Sequence, residues 1–93
     1  MPSTEATLVC GTGAAATDGA EVAVGLNAKS DSPGEAIAIG CYTNANLGSA
    51  IAIGNYAYSN NGNTAIGPLA NATGSDSLAV GTNSTATRRL VLP

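Results

Sequence analysis

The sequence predicts an all-β protein, a parallel β-roll (a β-solenoid) of about six 14-residue coils with essentially no helix. Three observations support this fold class. A four-residue motif of alternating side chains closed by glycine recurs along the chain, and a second glycine follows most copies. In addition, no window longer than ten residues is free of glycine or proline and also has helical apolar spacing.

The motif occurs six times, at residues 8–11, 22–25, 37–40, 51–54, 64–67 and 78–81. Its closing glycines, 13 to 15 residues apart, are Gly11, Gly25, Gly40, Gly54, Gly67 and Gly81. In Ile51-Ala52-Ile53, alternation along an extended strand places both isoleucines on one face and the alanine on the other. Each copy is therefore expected to form one short strand of a rung that stacks on the next rung.

The two faces of these strands are expected to have different roles. The branched side chains should fill the slot between the two sheets of the roll, which makes the predicted roll core Val22, Val24, Ile37, Ile39, Ile51, Ile53, Ile66, Leu78 and Val80. The alanines should form a contact between subunits, because small side chains let another backbone approach; they are Ala23, Ala38, Ala52, Ala65 and Ala79. Cyclic packing of identical rolls would cover their weak sheet edges.

The second half of each rung reads Gly-x-x-small-x-small and predicts a second short strand. A second glycine then follows in five of the six repeats, at Gly19, Gly34, Gly48, Gly62 and Gly74. Glycine at both corners permits the positive φ that a chain reversal requires.

Length and composition exclude several classes of protein. Ninety-three residues make one domain, and a chain with no Phe, no Trp and three Tyr cannot build a thick core. Three basic residues and a net charge of −3 argue against a nucleic-acid partner. No stretch approaches the roughly 20 apolar residues of a membrane span, and no signal peptide is visible in residues 1–20. We expect a small protein made in a cytoplasm.

Three segments are predicted: an N-terminal arm (1–6), the β-roll repeat domain (7–87) and a C-terminal cap or docking tail (88–93). The tail contains Arg88, Arg89, Leu90 and Leu92. An apolar segment after a basic pair is suited to docking on another protein, and the alternative is a cap that ends the ladder.

No catalytic, cofactor or metal site is expected, and the chain is not expected to be an enzyme. It has no histidine, the commonest general base and metal ligand. Four acids, Asp18, Glu21, Asp31 and Glu35, could gather along one edge and bind a cation such as Ca²⁺. The favoured interpretation is that they are solvated turn residues.

The two cysteines are not expected to form an intramolecular disulfide. They are two rungs apart, about 9–10 Å at a rung spacing of about 4.8 Å, which exceeds the roughly 7 Å Cα limit of a disulfide. Cys10 occupies a branched-residue position of its repeat and is expected to be buried, whereas Cys41 follows a corner glycine.

Three tyrosines follow the first corner on consecutive rungs. Tyr42 and Tyr56 occupy the same position of their repeats and are expected to stack one rung apart. With Tyr58 they could form an aromatic contact for a partner or a glycan. The alternative is that they cover the edge of the core.

The repeats resemble the head repeats of YadA-type trimeric autotransporter adhesins. Ser77-Leu78-Ala79-Val80-Gly81 and Ser49-Ala50-Ile51-Ala52-Ile53-Gly54 are the closest matches, and the resemblance covers roughly residues 8–86. It implies a left-handed parallel β-roll assembled as a homotrimer. The export signal, coiled-coil stalk and membrane-barrel strands of those adhesins are not found in this sequence, whereas similar rolls occur in bacteriophage fibres.

The expected function is therefore that of a non-enzymatic structural homotrimer of a phage virion, either a capsid decoration protein or a short fibre. It would lie on the virion surface, with a capsid or tail protein as its partner. The alternative is an adhesin head on a bacterial cell surface that binds a host-surface glycan or protein, on cells or in the extracellular matrix.

Overall fold

The computed structural model describes residues 8–16, 21–31 and 35–87, and these residues form short β-strands and turns without any helix. The twelve strands are β1 (Leu8–Cys10), β2 (Ala15–Ala16), β3 (Val22–Val24), β4 (Lys29–Asp31), β5 (Ile37–Ile39), β6 (Asn44–Asn46), β7 (Ile51–Ile53), β8 (Tyr58–Asn60), β9 (Thr64–Ile66), β10 (Asn71–Ala72), β11 (Leu78–Val80) and β12 (Thr85–Ala86). One odd-numbered strand and the even-numbered strand after it make one rung.

The strands form two parallel sheets. The odd-numbered strands make sheet A, in the order β1-β3-β5-β7-β9-β11, and the even-numbered strands make sheet B, in the order β12-β10-β8-β6-β4-β2. Equivalent residues of successive rungs pair with each other, so that Ile37 lies beside Ile51 and Ala38 beside Ala52. This confirms the predicted parallel β-solenoid. The described residues make a roll of about five turns, slightly fewer than the six coils predicted.

Small side chains fill the interior between the two sheets. Each central rung contributes four inward positions, and in the fourth rung these are Ala50, Ala52, Ala57 and Ser59, all fully buried. The buried hydrophobic residues of the described chain are all alanines: Ala23, Ala28, Ala36, Ala38, Ala45, Ala50, Ala52, Ala57, Ala65, Ala70, Ala72 and Ala79. The two sheets consequently lie close together.

The prediction of which face of sheet A points inward is wrong. The alanines predicted to form the subunit contact line the interior, at 3% exposure or less; they are Ala23, Ala38, Ala52, Ala65 and Ala79. The predicted roll core lies on the outer face, half-buried or exposed; it comprises Val22, Val24, Ile37, Ile39, Ile51, Ile53, Ile66, Leu78 and Val80. The reason is packing: a corner of four residues, 54–57 in the fourth rung, joins the sheets, and most inward positions hold alanine or serine. A branched apolar side chain at both sheet A positions of every rung would exceed the volume that native packing density leaves there.

Several polar side chains of the interior form hydrogen bonds with backbone groups. The Ser59 hydroxyl donates to the Asn63 carbonyl at 2.6 Å. The Asn63 side-chain amide donates to the carbonyls of Ala72 and Gly74, and its Oδ1 accepts from the Ser77 N–H at 2.9 Å. Asn63 thus joins two successive rungs from within the roll, since Ser77 occupies the equivalent position one rung later.

The first corner of every rung requires glycine, as predicted. All six closing glycines have φ between 123° and 130°, a conformation that L-residues rarely adopt. Space is a second requirement, because a Cβ on Gly54 would lie 2.5 Å from the carbonyl carbon and oxygen of Gly67 on the next rung. The corner glycines therefore let successive rungs stack backbone on backbone.

Candidate functional site

The outer face of sheet A is a nearly continuous apolar surface, and we name it the apolar face. Its first column of side chains consists of Leu8, Val22, Ile37, Ile51, Thr64 and Leu78, and its second consists of Cys10, Val24, Ile39, Ile53, Ile66 and Val80. Strand pairing holds each column in register, at a spacing of about 4.8 Å. Neighbouring side chains shield one another only in part, since Ile39 is 37% and Ile66 is 38% exposed.

No charged residue belongs to the apolar face. Its branched side chains exceed the interior alanines in size, so the larger apolar groups of this chain lie outside its own core. Monomeric soluble proteins rarely expose a large contiguous apolar patch, and such patches commonly mark interfaces. The apolar face is therefore the strongest candidate interaction surface of the described residues.

The first corner continues the apolar surface beyond the edge of sheet A. The rings of Tyr42 and Tyr56 stack with centroids 5.0 Å apart and planes inclined by 8°, which confirms the predicted stack. Both side chains are about half exposed, at 45% and 54%. The rings cover each other's facing surfaces, and the remaining surface of each side chain is accessible to solvent.

Leu69 extends this stack by one rung, and we name Tyr42, Tyr56 and Leu69 the corner ridge. Leu69 is 53% exposed. Backbone hydrogen bonds between rungs hold the ridge in register: the Tyr56 N–H donates to the Cys41 carbonyl at 2.9 Å and the Leu69 N–H to the Asn55 carbonyl at 2.8 Å. The sequence prediction omitted Leu69, although aligning the repeats on their glycines places it in the same position as the two tyrosines.

The outer face of sheet B is polar, and we name it the polar face. Tyr58 lies there between Asn44 and Asn71 of the neighbouring rungs, with Lys29 one rung before Asn44. The predicted grouping of three tyrosines is therefore only partly correct. Tyr58 is half-buried on the polar face, whereas the stacked pair belongs to the corner.

The described acids do not form a metal site. Glu21 is fully buried, so the prediction that it is a solvated turn residue is wrong, whereas Glu35 is exposed. Asp18 and the side chain of Asp31 lie outside the described part of the chain. Among the described residues no three His, Cys, Asp or Glu side chains come together to hold a metal ion, and no pocket is found.

The two cysteines are exposed and not joined in a disulfide. The prediction that Cys10 is buried is wrong, because Cys10 shares the outward orientation of the apolar face. The predicted docking residues Arg88, Arg89, Leu90 and Leu92 lie outside the described residues, as does the N-terminal arm. Residues 8–16, 21–31 and 35–87 include no helix that could cross a membrane.

No protein-family model matches this chain, and no curated protein and no solved structure is significantly similar to it. The likeness to adhesin head repeats therefore depends on the repeat motif and on the parallel β-solenoid.

Proposed function

We propose that this chain is a non-enzymatic structural protein that assembles as a homotrimer through its apolar face. The exposure of that face is the observation that supports the proposal. Isoleucine side chains face outward on three successive rungs while alanines fill the interior. Burying apolar surface contributes about 25 cal/mol per Å², so covering this face with other copies would add the core that the single roll lacks. Three copies are proposed because the repeats resemble those of trimeric adhesin heads.

The role we propose for this trimer is that of a rigid component of a phage virion, a capsid decoration protein or a short fibre. Two continuous parallel sheets with stacked corners resist bending, which suits a shaft or spacer. The low proportion of charged residues, 10%, is compatible with a protein that is largely covered by contacts with its own copies. A capsid or tail protein would be the partner that holds one end of the roll.

The native mass tests the assembly. Light scattering after size exclusion is expected to give about 27 kDa for three 9.0-kDa chains. Ile39→Glu combined with Ile53→Glu should convert the trimer to monomer, because each copy would bring two carboxylates into an apolar contact. The matched control is Asn71→Glu on the polar face, which should remain trimeric. A folded wild-type monomer of 9 kDa over the whole micromolar range would refute the proposal.

Purified virus particles test the proposed location. Particles released from cells that carry this gene should contain the chain at high copy number, as measured by quantitative mass spectrometry after density-gradient purification. Its absence from such particles, with the trimer present in the cell extract, would reject the virion role and leave the trimer in place.

A second candidate function, an adhesin head, is favoured by the polar face. If the apolar face is covered, the polar face remains on the outside of the trimer and presents asparagine side chains on successive rungs around Tyr58. Amide and phenol groups in register suit hydrogen bonding to a glycan. Binding of the purified trimer to host cells or matrix should then be lost with Tyr58→Asn and retained with Leu47→Asn, which changes an exposed residue of the second corner. Equal binding by both variants would reject this candidate.

A further inference from the structure

The corner ridge combines backbone strain with exposed apolar side chains. The residue two places after the closing glycine has positive φ on every rung, and its values are 60° at Tyr42, 65° at Tyr56 and 62° at Leu69. Bulky side chains are disfavoured in this left-handed region, where Gly, Asn and Asp are the usual residues. Three adjacent rungs therefore carry an unfavourable residue type at the same position.

The same chain places favourable residues at this position on its other rungs. They are Gly13 (φ 74°), Asn27 (φ 55°) and Asn83 (φ 63°). The corner geometry is the same, so nothing in the backbone calls for tyrosine or leucine on the three rungs between Asn27 and Asn83. Within the single roll, little burial offsets this strain, because each ridge side chain is about half exposed and the ring contact found among the described residues is the stacked tyrosine pair.

The corner ridge is continuous with the apolar face. Each ridge residue follows by three positions an isoleucine of the second column, namely Ile39, Ile53 or Ile66. The rungs on either side, which carry asparagine at the corner, have valine in that column, at Val24 and Val80. The bulkiest part of the apolar face and the strained ridge thus occupy the same three rungs, as expected if one partner covers both.

We infer that in the assembled protein the corner ridge of one copy packs against the apolar face of the neighbouring copy. This inference rests on the proposed oligomer and names a second part of its subunit contact. A closed ring of more than two subunits needs two different patches on each copy, one for each neighbour. The apolar face and the corner ridge are two such patches, they adjoin, and neither carries a charge. Burial in this contact would offset the strain of the three left-handed residues.

The test replaces the ridge by the residue that the chain itself uses at this corner. The triple variant Tyr42→Asn, Tyr56→Asn and Leu69→Asn removes the apolar side chains and relieves the backbone strain, so the fold of each roll should be kept. Leu47→Asn is the matched control: Leu47 is also exposed, with φ 73°, but it lies at the second corner, where Asn61 is the equivalent residue one rung later.

Sedimentation velocity over a hundredfold range of protein concentration measures the assembly, and far-UV circular dichroism measures the fold. The wild type and Leu47→Asn should dissociate at the same concentration. The ridge variant should keep its β spectrum and dissociate at a concentration at least tenfold higher. Equal dissociation of all three proteins would overturn the inference and leave the oligomer standing, with the ridge exposed for some other partner. A wild type that is monomeric throughout would refute the ridge contact and the proposed oligomer together.

Discussion

Replacing Gly54 by alanine measures how closely successive rungs are stacked. Gly54 has φ 130°, and its added Cβ would lie 2.5 Å from the carbonyl carbon and oxygen of Gly67 and 3.0 Å from the Pro68 nitrogen. These are backbone atoms, and they cannot rotate away as the end of a side chain can. The substitution therefore combines a conformational cost with a steric one.

The two costs can be estimated separately. Holding a non-glycine residue in such a backbone region costs about 1–3 kcal/mol. To reach ordinary contact at 3.4 Å, the next rung must move by about 0.9 Å. This shift would lengthen the hydrogen bond from the Gly67 N–H to the Ile53 carbonyl from 2.7 Å to about 3.6 Å, which is no longer a hydrogen bond. Losing this bond and the one from Leu69 to Asn55 adds about 2–4 kcal/mol.

Gly81→Ala is the control that isolates the steric part. Gly81 has φ 123°, close to that of Gly54, but none of the described residues lies within 4 Å of its added Cβ. Thermal unfolding, followed by far-UV circular dichroism at equal protein concentration, should therefore give the highest Tm for the wild type, a lower one for Gly81→Ala and the lowest for Gly54→Ala. A difference of about 2 kcal/mol between the variants corresponds to at least about 8 °C in Tm for a domain of this size.

Equal destabilisation by Gly54→Ala and Gly81→Ala would refute the reasoning, because it would mean that successive rungs are not in backbone contact at the corner glycines. Complete failure of Gly54→Ala to fold, with Gly81→Ala folded, agrees with it.

The interior offers two further predictions. Ala52→Leu should lower the free energy of unfolding by about 3 kcal/mol, since the fully enclosed alanine row has no room for three more carbons. Ile51→Leu on the outer face should lower it by less than about 1.5 kcal/mol. Urea unfolding measures both values, and a well-tolerated Ala52→Leu would contradict the narrow interior. Asn63→Ala should lower the free energy of unfolding by about 2–3 kcal/mol, because it leaves the buried Ser77 N–H without its acceptor. Asn71→Ala on the polar face should change it by less than about 0.5 kcal/mol. Similar urea midpoints for these two variants would show that Asn63 does not join the rungs.

Much of the fold could be predicted because a short repeat constrains the chain strongly. Glycines 13 to 15 residues apart leave room for two short strands and two corners, and stacked identical corners place equivalent residues side by side. The stack of Tyr42 on Tyr56 follows from that register alone. The parallel sheets and the positive φ of Gly54 follow from it as well.

The orientation of sheet A could not be obtained from alternation. Alternation states that Ile51 and Ile53 share a face opposite Ala52, but it is silent on which face is inside. Hydrophobicity favoured the isoleucines as the inward residues, whereas the short corners favoured the alanine in that role. The deciding signal was the presence of small residues at further positions of the same rung, such as Ala57 and Ser59, which together with Ala52 define a narrow interior.

Buried polar residues were also beyond the reach of the repeat pattern. Glu21 and Asn63 occupy the position just before a strand of sheet A, where Ala36 and Ala50 stand on other rungs. A polar residue near a turn is usually solvated, and the sequence contained no sign that this position points inward. Whether the side chain at this position points inward depends on the path of the second corner.

The alanine interior makes most of the rungs interchangeable. Most central rungs meet the next through small side chains and the same glycine corner, whereas the rung of Asn63 also has a specific partner in Ser77. Adding or removing one repeat of about 14 residues should therefore change the length of the roll by about 4.8 Å without creating a new kind of contact. In such a protein, duplication or deletion of one repeat in the gene changes the length of the roll in fixed steps, and the two columns of the apolar face lengthen or shorten by the same steps.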